Sequence, residues 1–159
     1  SPSQIKNSIL TFQGLEHRLE KVTSIAGVTF FNDSKATNID ATLKSIQSFD
    51  QDLIIILGGR DKGGDFKQLI PAIKKRVKAA VLLGEAKEKI HAALQGIIPL
   101  YPVSSLTQAV ETSYSLASPG DIVLLAPACT SFDMFKNFEE RGQKFKEEVL
   151  SLKNRLRPK

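Results

Sequence analysis

The run Leu53-Ile54-Ile55-Ile56-Leu57, closed by Gly58-Gly59, constrains this chain more than any other feature. It has no polar alternation and is too short for a buried helix, so it reads as a strand covered on both faces. Ala79-Ala80-Val81-Leu82-Leu83, closed by Gly84, repeats the pattern, and Ile122-Val123-Leu124-Leu125 repeats it again after the Pro119-Gly120 turn. Helical stripes separate these runs. Ile39, Leu43, Ile46 and Phe49 form one, and Phe66, Leu69, Ile70, Ile73 and Val77 another. Ile90, Ala93 and Leu94 mark a short helix, and Leu106, Ala109, Val110, Ser113 and Ala117 a longer one. Phe135, Phe138, Phe145 and Val149 stripe a last helix. Leu19–Thr23 and Val28–Phe31 read as a hairpin about Ala26-Gly27, and Ile97–Tyr101 as one more strand. Strands alternating with helices demand right-handed crossovers. The expected fold is α/β and Rossmann-like: a doubly wound, mostly parallel sheet of about six strands with one antiparallel strand and helices on both faces.

At 159 residues, 42% hydrophobic and 25% charged, the chain suits one globular domain with its own core. Residues 14–153 are expected to form that domain, 1–13 a linker or helix remnant from a preceding one, and 154–159 a frayed tail. Cys129 is the single cysteine, which excludes a disulfide framework and a thiolate zinc site. His17 and His91 are too scattered for a metal site. No signal peptide is visible and no apolar run approaches membrane-spanning length, so the expectation is a cytoplasmic monomer with no membrane partner. The net charge of +5 gathers at Lys74–Lys78 and in the tail. No aromatic residues interleave with those charges, so no nucleic-acid partner is expected, and a mild positive charge suits handling of phosphates and carboxylates.

In open α/β sheets ligands bind beyond the carboxyl ends of the strands. Three loops there carry unusual polar residues: Asn32–Asn38, Gly58–Asp65 and Ala126–Asp133. In the first, Asp33 can accept ribose hydroxyls, Lys35 can hold a phosphate, and Thr37 or Asn38 can cap the next helix. The second, Gly58-Gly59-Arg60-Asp61-Lys62-Gly63-Gly64-Asp65, lets backbone approach a ligand but matches neither the P-loop nor the dinucleotide fingerprint. In the third, Thr130 or Ser131 is a candidate cap for the last helix, with Asp133 in its first turn. Each loop alone also reads as an ordinary turn or cap. Cys129 reads as a packed thiol.

Taken together, the loops resemble a known family. The signatures are Gly14-Leu15-Glu16-His17-Arg18, Asn32-Asp33-Ser34-Lys35-Ala36-Thr37-Asn38, Leu57-Gly58-Gly59 with Lys62 and Asp65-Phe66, and Ala126-Pro127-Ala128-Cys129 with Ser131, Asp133 and Phe135–Gly142. From Gly14 to about Lys153 the chain resembles the C-terminal domain of the Mur ligases, in the branch that adds D-glutamate. The resemblance implies an ATP- and Mg2+-dependent ligase of peptidoglycan precursor synthesis. In it the UDP-N-acetylmuramoyl-L-alanine carboxylate becomes an acyl phosphate that the D-glutamate amine attacks. It implies that Thr37, Lys62, Ser131, Phe132 and Phe138 contact D-glutamate, and that Arg18, Asp33 and Lys35 lie on the nucleotide side. No catalytic residue and no metal ligand is assigned here. ATP, Mg2+ and the UDP substrate would be held mainly by upstream domains, so the isolated domain is expected to be inactive. Arg60 departs from the acidic residue that often follows the double glycine. The other readings are a stand-alone α/β module binding a small anion or nucleotide, and a basic nucleic-acid binder.

Overall fold

The computed structural model describes residues 15–158, so the expected linker 1–13 and Gly14 lie outside the described residues. Strand β1 (Glu20–Ile25) turns through Ala26-Gly27 into β2 (Val28–Asn32), the antiparallel hairpin expected. Ala26 (φ 48°) and Gly27 (φ 84°) are both left-handed, as a two-residue turn that follows the strand twist requires. A Cβ on Gly27 would come within 3.0 Å of Pro119 Cβ, so the turn also needs glycine for space.

Helix α1 (Ile39–Gln47) follows, capped by Asn38, whose side chain accepts from Ala41 N–H at 2.9 Å. Strand β3 (Leu53–Gly58) is buried along its whole length. A 3-10 turn (Phe66–Leu69) then leads into helix α2 (Ile70–Arg76) and strand β4 (Val77–Leu83). Val77 therefore opens a strand instead of closing the helical stripe expected for it. Its apolar side chain fits either period, and pairing with Leu53 decides the matter. Helix α3 (Lys87–Leu94), strand β5 (Leu100–Pro102), helix α4 (Leu106–Leu116), strand β6 (Ile122–Leu125) and helix α5 (Phe138–Arg155) complete the domain. Ile97 and Ile98, expected in β5, instead pack beside the core as connecting chain.

The sheet runs β1-β2-β6-β3-β4-β5, with every pair except β1–β2 parallel. This is the doubly wound, six-stranded architecture the alternation of elements required. Side chains of β3 alternate between faces: Leu53, Ile55 and Leu57 meet α1, α2 and α3, while Ile54 and Ile56 meet α4 and α5. Among the described residues no helix is long and apolar enough to cross a membrane.

The last helix departs from expectation. It begins at Phe138, where the Asn137 side chain accepts from Glu140 N–H at 2.8 Å. Neither Thr130 nor Ser131 caps it, Asp133 is not in its first turn, and Phe135 lies before it. Thr130 is held instead by backbone bonds to Arg60, N–H to O at 3.1 Å and the reverse at 2.9 Å, so the chain crosses the strand ends before it can coil. At the other end, α5 continues to Arg155 and buries Leu152.

Candidate functional site

Parallel pairing puts Asn32, Leu125, Gly58 and Leu83, the last residues of β2, β6, β3 and β4, along one edge. The loops leaving β2 and β3 wall a cleft of about 1190 Å³ there, with α1 along one side and Phe138 at the start of α5. Arg18, Asp33, Lys35, Thr37, Lys62 and Phe138 all line it, so six of the eight residues singled out from the sequence come together. Ser131 and Phe132 do not line it: Ser131 is buried with no partner for its Oγ, and Phe132 is 58% exposed.

The cleft's charge is lopsided. Among the described residues Arg18, Lys35, Lys44 and Lys62 line it without an ion-pair partner. The lining carboxylates are largely committed to the fold. Asp33 is buried and accepts from Leu19 N–H at 3.3 Å and from the Ser45 hydroxyl. Burial pushes its carboxyl above the ordinary aspartate range, against the bonds from Ser45 and Leu19 and the charge of Arg18. For Asp61, burial would raise the carboxyl, but Lys89 and the N–H groups of Gly63 and Gly64 hold it below the usual range. Those N–H groups donate to its Oδ1 at 3.0 and 2.9 Å, pinning the glycine loop from within. The remaining excess of cations, beside the N-terminus of α1, suits a ligand with carboxylate or phosphate groups.

Several side chains set this geometry from behind. His17 is buried, left-handed at φ 69°, and edge-on to the Phe138 ring at 6.1 Å between centroids. Asn32 Nδ2 donates to His17 Nδ1 at 2.9 Å and to Glu20 Oε1 at 3.0 Å, so Nδ1 accepts and the ring hydrogen lies on Nε2. The His17 carbonyl accepts from Lys35 N–H at 3.1 Å, and Lys35 Nζ sits 5.8 Å from the centre of the Phe138 ring. Arg60 faces away from the cleft and pairs with Glu85 through two bonds of 3.2 Å. The departure at that position thus affects the outer rim. Lys44 and Gln68 are cleft residues that the loop signatures did not include. Asp40, Ala41, Lys44, Ser45 and Ser48 recur at helical spacing on α1, a signal that one face of that helix borders the loops.

A family model described as "Mur ligase, glutamate ligase domain" matches residues 17–129. The chain is 50% identical over 151 residues to a UDP-N-acetylmuramoylalanine–D-glutamate ligase from Acidobacterium capsulatum, covering 95% of this chain and 33% of that protein. It is 47% identical over 151 residues to the protein of the same name from Clostridioides difficile, covering 94% and 34%. The chain therefore spans about a third of the length of the curated relatives it matches. In fold it is similar to a bifunctional folylpolyglutamate synthase/dihydrofolate synthase from Yersinia pestis, with TM-score 0.63 at 14% identity over 96% of this chain and 34% of that one. It is likewise similar to the UDP-N-acetylmuramate-alanine ligase from Thermotoga maritima, with TM-score 0.61 at 14% identity over 92% and 33%. The sheet order, the three strand-end loops and these matches agree: this chain belongs to the Mur ligase family, as a glutamate ligase domain.

Proposed function

We propose that this chain is the amino-acid-receiving C-terminal domain of a cytoplasmic ATP-dependent ligase that adds D-glutamate to UDP-N-acetylmuramoyl-L-alanine. The observation that carries the reading is the strand-end cleft where Arg18, Lys35, Lys44 and Lys62 have no ion-pair partner among the described residues, in a chain so similar to proteins of that name. D-glutamate brings two carboxylates, and its amine must stay free to attack. Lys62 and Thr37 are assigned to its carboxylates and Phe138 to its carbon chain, while Arg18 and Lys35 face nucleotide phosphates and Asp33 the ribose side. Lysine at such a position acts as a point charge and needs no covalent chemistry. Ser131 and Phe132 would join the amino-acid site through a shift of the 126–137 loop; the partnerless Ser131 Oγ supports that assignment.

The reaction assigned to the whole protein passes through an acyl phosphate, and this domain's share is to position the amine and neutralise charge. Magnesium and most of the ATP contacts are assigned to the remainder of the longer protein on the strength of the family resemblance.

The test is a titration of this chain by NMR with D-glutamate, L-glutamate and ATP, repeated on Lys62→Ala. D-glutamate should shift resonances of Thr37, Lys62 and their neighbours. Losing one charge-assisted contact should weaken its binding about tenfold. Shifts centred on Lys74–Lys78, or equal response to both enantiomers, would count against the reading.

A further inference from the structure

Arg141 projects from the first turn of α5 and is 2% exposed. A guanidinium cannot shed its charge cheaply, and a buried one normally has a carboxylate partner. Arg141 has none among the described residues. Its Nε donates to Ser34 Oγ at 2.9 Å, its Nη2 to Ser34 O at 2.7 Å, and its Nη1 to Cys129 O at 3.1 Å. Ser34 Oγ in turn donates to Phe138 O at 2.7 Å. A Cβ built on Gly59 would stand 3.3 Å from Nη1, so the same guanidinium also abuts the loop after β3. One planar fork thus bonds to the loops after β2 and β6 and lies close behind the loop after β3. The residues that flank Ser34 and Cys129 in the chain, Asp33, Lys35 and Ala128, line the cleft. Burial lowers its pKa to about 10, with Cys129 and Asp133 acting against that shift, and it stays a cation at neutral pH.

The geometry points to Arg141 as a positioning residue that locks the amino-acid side and the nucleotide side of the cleft to one another. The fork fixes three acceptors at set angles, which lysine cannot reproduce. Its uncompensated charge lies one residue behind Asp33 and Lys35, where low dielectric strengthens attraction for an anion. Arg141 touches no ligand itself; it acts through Ser34, Cys129 and Phe138. This inference rests on the proposed function for its kinetic readout but not for its structural one.

The experiment uses the full-length ligase carrying this domain, as wild type, Arg141→Lys and Arg141→Met. Melting temperatures are recorded first, and assays are run well below them. KM for D-glutamate and for ATP should each rise about tenfold in Arg141→Lys and further in Arg141→Met, with KM for the UDP substrate within about twofold of wild type. Without substrates, hydrogen exchange in residues 33–38 and 126–133 should accelerate together in both variants while the β3 and β4 amides keep their protection. Unchanged KM values with normal loop exchange would overturn the assignment. So would a uniform acceleration across the domain, which marks a purely structural role. If the wild type fails to ligate D-glutamate, the proposed function falls, and the exchange comparison still decides the role of Arg141.

Discussion

Cys129 shows how a side chain's surroundings override its type. It sits in the loop after β6, 1% exposed, and its own carbonyl accepts from Arg141. Burial, with Asp61 and Asp133 nearby, pushes the thiol up to about 12 from 9.0. The native state therefore holds this proton more tightly than the unfolded chain. Its stabilising share is intact below pH 9 and is lost as the pH rises towards 12. Unfolding by denaturant at pH 8 and pH 10 should show a loss of about 1 kcal/mol from this group, and Cys129→Ala should remove that part of the slope. A thiol reagent at pH 8 should leave the folded protein unmodified, because the thiolate is the reactive species. The packed-thiol reading was available from the sequence because Cys129 has no activating histidine nearby in the chain. The role of Arg141 was not, since two of its three acceptors are main-chain carbonyls that carry no residue signature and the third, Ser34 Oγ, lies 107 residues away in the chain.

At the scale of elements, α5 illustrates the limits of local rules. Glycine is a poor helix interior residue, and an exposed Gly→Ala change would ordinarily stabilise by about 1 kcal/mol. At Gly142 a Cβ would lie 2.1 Å from His17 Nδ1 and 3.0 Å from Asn32 Nδ2. Gly142→Ala should therefore lower the melting temperature, costing on the order of 1–3 kcal/mol as the His17 ring is displaced. It should also disturb the Phe138 wall of the cleft, seen as shifted Phe138 and Lys35 resonances. An increase in melting temperature would show that His17 repacks without penalty. The hairpin offers the opposite sign. Ala26 occupies a left-handed position with a Cβ, so Ala26→Gly should raise stability by a few tenths of a kcal/mol up to about 1 kcal/mol in a thermal melt. Two such residues in a row follow from the turn, and Ala26-Gly27 was readable as that turn. The start of α5 was not, because Thr130, Ser131 and Asn137 are all good caps and only the pairing of Thr130 with Arg60 selects the last.

For the molecule as a whole, the cleft at the strand ends is open and carries a cationic lining, and the chain spans about a third of its relatives. Under the proposed function, such a site gains its reactivity from closure against other domains. Purified as this chain alone, it should form no amide bond from UDP-N-acetylmuramoyl-L-alanine, D-glutamate and ATP. Phosphate release assays should read background while the full-length protein turns over. Ligation by the isolated chain would refute the division of labour. The fold class was legible throughout: apolar runs such as Leu53–Leu57 can only be buried strands, and helical stripes between them force a parallel sheet. The sequence by itself also singled out three strand-end loops, two of which wall the cleft, because glycines, hydroxyls and opposite charges collect there. Tertiary structure alone decided that Lys44 joins the cleft while Ser131 and Phe132 stand outside it, and that Arg60 turns to Glu85. It also decided that one buried guanidinium bonds the loop after β2 to the loop after β6. Those outcomes depend on strand order and on groups meeting across more than a hundred residues, as the Arg141 side chain and Ser34 do. Local periodicity and residue type carry no record of such distances.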